Sequence, residues 1–224
     1  RGRAMRKPPK HTVREESILF YTMLKRAFLS KLRNRTNLLT TLLEAPLLAF
    51  LISSVLKYSE EDAYTFATAF HIPTYLFMSL VVAMFLGLTN SADEIIRDRH
   101  LLSRERNHNL RTFYYLLGKI LSLSAFALAQ CVIYLFIGNW VLEIRDMFFT
   151  HLWWMFVTAL TGACLGLLIS SFVGDSRTAI NAIPLLLIPQ IILGGALIKY
   201  EEMNRNLDLI YSLQPWLVKA GIYE

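Results

Sequence analysis

The chain has 224 residues, 54% of them hydrophobic, and a mean hydropathy of +0.41, which excludes an ordinary soluble globule and describes a polytopic membrane protein. Its formal charge of +6 is uneven: residues 1–35 hold eleven Lys and Arg against Glu15 and Glu16, a net of +9, while the remainder holds twelve against fifteen, a net of −3. A basic segment directly before an apolar run follows the positive-inside pattern of membrane proteins, so no nucleic-acid partner is expected.

The chain opens on RGRAMRKPPK, basic and proline-bearing, with no short apolar region or cleavage site behind it. Residues 1–14 are therefore expected to be a linker from an upstream cytoplasmic domain of a longer polypeptide. Thr12 and Glu15 have capping-box spacing. Over 15–35, Phe20, Leu24, Phe28 and Leu32 recur at helical spacing, with Lys25, Arg26, Lys31 and Arg33 off that row. This predicts an amphipathic helix lying in the bilayer interface, arginines towards anionic headgroups, and packing on a partner helix is compatible with that placement.

A transmembrane domain is expected over 36–224, its first span at about 37–56. That span contains Glu44 and Pro46. A carboxylate there costs about 2–3 kcal/mol on insertion scales and faces protein or water. Glu44 reads either as part of a substrate path or polar relay, or as a structural hydrogen bond to a neighbouring helix. Pro46 is expected to kink the helix.

An acidic loop, KYSEED, leads to a second span at about 72–90 with Pro73 in its first turn. The third span covers about 113–142, and the aromatic run from Phe148 into Trp153 and Trp154 marks an outer interface. The fourth, about 152–173, carries Gly162 and Gly166 at the spacing that lets another helix approach closely. A short inner turn, GDSR, enters a fifth span at about 178–198, which contains Asn181, Pro184, Pro189 and Gln190. Such a proline-broken span either lines a cavity, in which case Asn181 and Gln190 join Glu44 as candidates for a pathway or polar relay, or is kinked only for packing. The tail at 199–224 mixes charge with apolar residues and is expected outside. Five spans of an expected six are present, with the sixth placed beyond Glu224. Cys131 and Cys164 both sit in apolar runs, and no disulfide is expected.

Nothing between Ala63 and Ala92, or between Ile120 and Leu142, carries Asp, Glu, Lys or Arg. Between these runs lies EIIRDRHLLSRERNHNLRTFYYLLGK, residues 94–119, the largest polar surface the spans present to one side. Its charges either pair with a partner surface or merely keep the loop in water and enforce topology. The chain holds no HExxH, no GxSxG and no GxxxxGK[ST] motif. His11, His71, His100, His108 and His151 are scattered, with no two at metal-ligand spacing. Catalytic, cofactor and metal sites are therefore not expected within it.

The segment E-I-I-R-D-R-x4-R-E-R, followed by Asn109-Leu110, Tyr115 and Lys119, resembles the first cytoplasmic loop of ABC-2-type transporter membrane domains. It is especially similar to a bacterial branch close to the G subfamily, whose members carry E-I-x-K-E-R-x4-R-E-R at the same spacing. LLEAPLLAFLI around Glu44, and LLISSFVGDSRTAINAIPLLLIPQIILGGAL, agree as well, so the resemblance covers almost the whole chain from about Ser17. It implies an all-α, six-span half-transporter that dimerises and works with ATP-binding domains. In that branch the ATP-binding domain precedes the membrane domain in one polypeptide, where ATP and Mg would bind. It further implies that the helix at 15–35 is a connecting helix. The charged loop becomes a coupling helix resting on the ATPase, with Glu94, Arg97, Asp98, Arg99, Arg104, Glu105 and Arg106 as coupling residues. The position of Glu105 matches the glutamate of the family's R-E-R.

The expected function is ATP-driven export or flipping of a lipid-like or hydrophobic molecule by a homodimer in the bacterial inner membrane, N-terminus cytoplasmic. The loop spacing differs from that of eukaryotic relatives, so their sterol or drug substrates do not transfer. The alternative is a membrane anchor or sensor that tethers a cytoplasmic regulatory domain.

Overall fold

A computed structural model describes residues 13–33, 35–57, 72–106, 112–144 and 147–193. These form seven helices: α1 (Val13–Arg33), α2 (Arg35–Leu56), α3 (Ile72–Ser91), α4 (Glu94–Arg106), α5 (Thr112–Leu142), α6 (Phe148–Phe172) and α7 (Ser176–Leu193). Among the described residues there is no strand, in keeping with the all-helical class expected of so apolar a chain. Four stretches of the described residues are long and apolar enough to cross a bilayer: Leu38–Leu56, Ile72–Arg99, Phe113–Leu142 and Phe148–Phe172. The expected fifth span is represented by the shorter apolar stretch Ser176–Ile192. The KYSEED acidic residues, the end of that fifth span and the tail at 199–224 lie outside the described residues.

The helices form a bundle with α3 at its centre, touching α2, α5, α6 and α7. The tightest pair is α3 with α6, and small residues are the reason. A Cβ on Gly162 would stand 2.6 Å from the Met84 carbonyl oxygen, and one on Gly166 would meet Ser91 Oγ and come within 2.9 Å of the Leu88 carbonyl. The helix that the glycine spacing admits is therefore α3 of the same chain. Gly87 answers from the other side, where a Cβ would run into the Ala159 carbonyl.

Residues Ala45, Ala49, Val82, Leu86, Ala127, Leu135 and Met155 knit α2, α3, α5 and α6 into the main buried cluster. Within it, Ser79 Oγ and His151 Nε2 are 2.6 Å apart, tying α3 to α6, and Tyr75 stacks on Tyr134 of α5 at 6.4 Å. At the same end, Glu143 takes a left-handed φ of 57° just past α5, and the Ile144 amide bonds back to the Asn139 carbonyl at 3.1 Å. That is a Schellman closure built without glycine. Glu143 also pairs with Lys57 at 3.3 Å, joining the ends of α5 and α2.

One expectation about prolines meets a different backbone, since the fifth span is not broken at its prolines. α2 runs continuously through Pro46, and α7 through Pro184 and Pro189. A proline removes one backbone bond, and neighbouring helices supply substitutes. In the same turn of α2, next to the Leu42 carbonyl that Pro46 leaves without its helical donor, the Thr41 carbonyl accepts a hydrogen bond from Gln130 Nε2 at 2.7 Å.

Candidate functional site: a buried ion-pair hub at the charged end

At the end of the bundle opposite Glu143, α1 lies across α5, and α4 follows α3 after a brief turn at Ala92-Asp93. Aromatic contacts seat α1: Phe28 stacks on Phe126 at 5.4 Å and Phe20 meets Tyr114 at 6.3 Å. This brings Lys31 of α1 inward rather than out to the headgroups.

Lys31 Nζ is 3.0 Å from Glu94 Oε1, while Lys119 Nζ of α5 is 2.6 Å from the other oxygen, Oε2. The three side chains are only 8–10% exposed. Lys119 also pairs with Asp98 at 2.9 Å, and Asp98 accepts a 3.0 Å hydrogen bond from the Tyr115 hydroxyl. Two ammonium groups and two carboxylates thus balance, with the remaining donors directed at oxygen acceptors, as buried charges require. Burial lowers the pKa of the Lys31 ammonium from its ordinary value, and the charge and hydrogen bond of Glu94 oppose that shift. Lys31 also sits 5.5 Å from the Phe126 ring centroid, a cation–π contact.

The hub continues into the bilayer half of the bundle. Lys31 Nζ donates to the Asn90 carbonyl at 3.1 Å, and Asn90 Nδ2 donates to Gln130 Oε1 at 2.6 Å. Through Gln130 and Thr41 the chain of bonds runs α4–α1–α3–α5–α2. A displacement of α4 cannot leave this chain of bonds unchanged.

α4 is also fastened to α6. The first amides of a helix lack intrahelical acceptors. Ser170 Oγ fills that role for Ile95 and Ile96 at 3.0 and 3.2 Å. Arg99 Nη2 donates to the Val173 carbonyl at 2.6 Å, placing a cation at the negative end of α6. Arg97 pairs with Asp93 one turn earlier.

The expected coupling residues therefore divide. Glu94 and Asp98 are in the hub, Arg99 is on α6, and Arg97 is half-exposed with its partner Asp93. The side chains of Arg104, Glu105 and Arg106 lie outside the described residues. Glu44 lines a cavity of about 160 Å³ between α2, α3, the start of α4 and α7. Asn181 is exposed on α7, and the Gln190 Oε1 atom is buried without a hydrogen-bond partner; neither lines that cavity. Residue-type reasoning passed over Lys31, Asn90, Gln130 and Ser170. The available signal was polarity at membrane depth, since Gln130 stands midway in an uncharged run. Among the described residues no group of His, Cys, Asp and Glu is arranged to hold a metal ion.

An all-helical, multi-pass bundle whose amphipathic first helix is ion-paired to a charged inter-span helix is a polytopic membrane domain. The chain belongs to the ABC-2 type transporter family, whose model matches residues 18–217. No curated protein matches the chain at a significant level. Membership gives it a permease role in a membrane, and domains of this family usually partner ATP-binding subunits.

Proposed function

We propose that the chain is the membrane-spanning domain of an ATP-driven exporter of the bacterial branch near the G subfamily. It would pair with a second copy of itself and with an ABC ATP-binding domain in the same polypeptide. The charged end faces the cytoplasm of a bacterial inner membrane, and α4 rests on the ATPase, which binds ATP and Mg. The substrate is lipid-like or otherwise hydrophobic and passes at the dimer interface by alternating access.

One observation carries this reading: Glu94, at the head of α4, is held by Lys31 of α1 and Lys119 of α5 at 3.0 and 2.6 Å. ATP biases a transport equilibrium only through contacts that differ between states. A helix pressed by an ATPase on its outer face and locked by buried ion pairs on its inner face passes such a bias to α1 and α5 together. Its remaining charges, Arg104, Glu105 and Arg106, lie further along the same helix.

The test is Glu105→Ala in the complete transporter, reconstituted in proteoliposomes. ATP binding should persist while substrate-stimulated hydrolysis and transport are lost. Wild-type stimulation in that variant would overturn the coupling role. Absence of any nucleotide-dependent transport by the wild type, with ATP bound normally, would overturn the exporter reading and favour an anchor or sensor.

A further inference from the structure

The carboxylates around the cavity of α2, α3, α4 and α7 do not share the same charge balance. Glu94 is held by two lysines and Asp93 by Arg97. Glu44 lines the same cavity, within the first span, and pairs with no cation among the described residues. An ionised carboxylate at that depth calls for a counter-charge. Among the described residues the cations that line or border the cavity are already paired, Arg97 with Asp93 and Lys31 with Glu94.

We propose that this cavity receives the cationic head of a membrane-soluble amine, with Glu44 as its counter-ion; the proposal deepens, and rests on, the reading of the chain as a transport domain. The size of the cavity selects a head rather than a whole molecule. At about 160 Å³ it is smaller than the roughly 300–1,000 Å³ of pockets that engulf a drug-sized ligand. The body must therefore lie outside, and α2 supplies the surface for it. Leu47 and Leu51 follow Glu44 at helical spacings of three and seven, on the same face, and both are more than 60% exposed. Ile180 of α7 adds an apolar edge to the cavity itself. An apolar chain along Leu47 and Leu51, ending in an ammonium at Glu44, satisfies both surfaces at once.

The charge sign disfavours an anionic head: Glu44 would repel it, and Arg97, the cation of the lining, is already paired with Asp93. A divalent metal is disfavoured by the donor set, since Asp93 and Glu94 already have cationic partners and no metal-binding group exists among the described residues. A single fixed negative charge suits a monovalent ammonium.

The experiment measures binding of radiolabelled dodecyltrimethylammonium to the complete protein in neutral nanodiscs, with empty nanodiscs as background. Saturable binding to the wild type, weakened tenfold or more by Glu44→Gln and largely kept by Glu44→Asp, is the expected result. Dodecylamine should compete and dodecanol should not. Glu44→Gln removes a charge that has no cationic partner among the described residues, so it should fold as well as the wild type, which thermal unfolding checks. Equal binding by the folded Gln variant, displacement by dodecanol, or displacement by sodium ions but not by dodecylamine would each overturn the proposal. These outcomes are independent of nucleotide: amine binding that depends on Glu44 without ATP-driven transport leaves the site standing and removes the exporter reading. Transport of other substrates with Glu44-independent amine binding does the reverse.

Discussion

Lys31 and Glu94 form an ion pair at 3.0 Å with both side chains about nine-tenths buried, and this contact ties α1 to the charged helix between spans. A surface pair of this kind would contribute little. A buried one behaves differently, because each partner removed leaves a charge stranded away from water.

Glu94→Gln should therefore cost about 3–5 kcal/mol, since it strands Lys31 and weakens the hold on Lys119. Denaturant unfolding of the protein in detergent reads this. Adding Lys31→Met should recover part of the loss, because the second substitution removes the stranded charge. If the double variant shows the plain sum of the two single losses, the pair is not the unit described.

Gly162→Ala and Gly166→Ala should each cost about 1–3 kcal/mol, since the added methyl meets backbone carbonyls of α3 at 2.6 and 2.9 Å, and backbone cannot rotate away. Gly174→Ala is the control: nothing lies within 4 Å of its Cβ position, and it should be neutral within about 0.5 kcal/mol. Comparable losses at all three positions would mean that the α3–α6 contact does not set the cost, since Ala is the better helix former and propensity alone would favour the two α6 variants.

What the sequence made legible, and what it hid, follows from the range of each interaction. Uncharged runs bounded by charge mark spans because the bilayer acts on composition alone. The spacing of Gly162 and Gly166 is local and readable; that α3 fills the groove, with Gly87 as the third small residue, depends on how two helices cross. The block from Glu94 stood out by its charge. Its partners did not, because Lys31 reads as one more basic residue on an interfacial helix until Phe28 and Phe126 fix how α1 lies on α5. The same holds for His151, which reads as a scattered histidine at a span end and is buried against Ser79. Proline positions mislead in the opposite direction, since α7 runs as one helix through both of its prolines.

Gln130→Leu should cost about 1–2 kcal/mol: membrane hydrogen bonds are individually modest, but this side chain makes two and leaves the Asn90 amide without its acceptor. Asn90→Val in the same background should recover part of it. Thermal unfolding of the two variants, side by side, is the measurement. No recovery would mean that Asn90 finds another acceptor and the bonds do not run on as a chain.

Asp175 starts α7 from the turn after α6, accepting the Thr178 hydroxyl at 2.7 Å and the Thr178 amide at 3.1 Å. The hydroxyl bond first, and the amide bond after it, hold the carboxyl below its ordinary value of 3.8, although the group is fully exposed. A depressed carboxylate stabilises the fold above its unfolded pKa, and the contribution disappears as pH falls through the depressed folded value. Protection of the first turn of α7 against amide exchange, corrected for intrinsic rates, should therefore be steady near neutrality and fall in the acid range. Asp175→Asn keeps an N-cap acceptor without the titration, so its protection should be flat across the same range. Thr178→Val removes the hydroxyl partner and should move the wild-type fall to higher pH, closer to the ordinary carboxylate value. An acid fall that persists unchanged in Asp175→Asn would assign the titration to another group and leave the cap a purely geometric one.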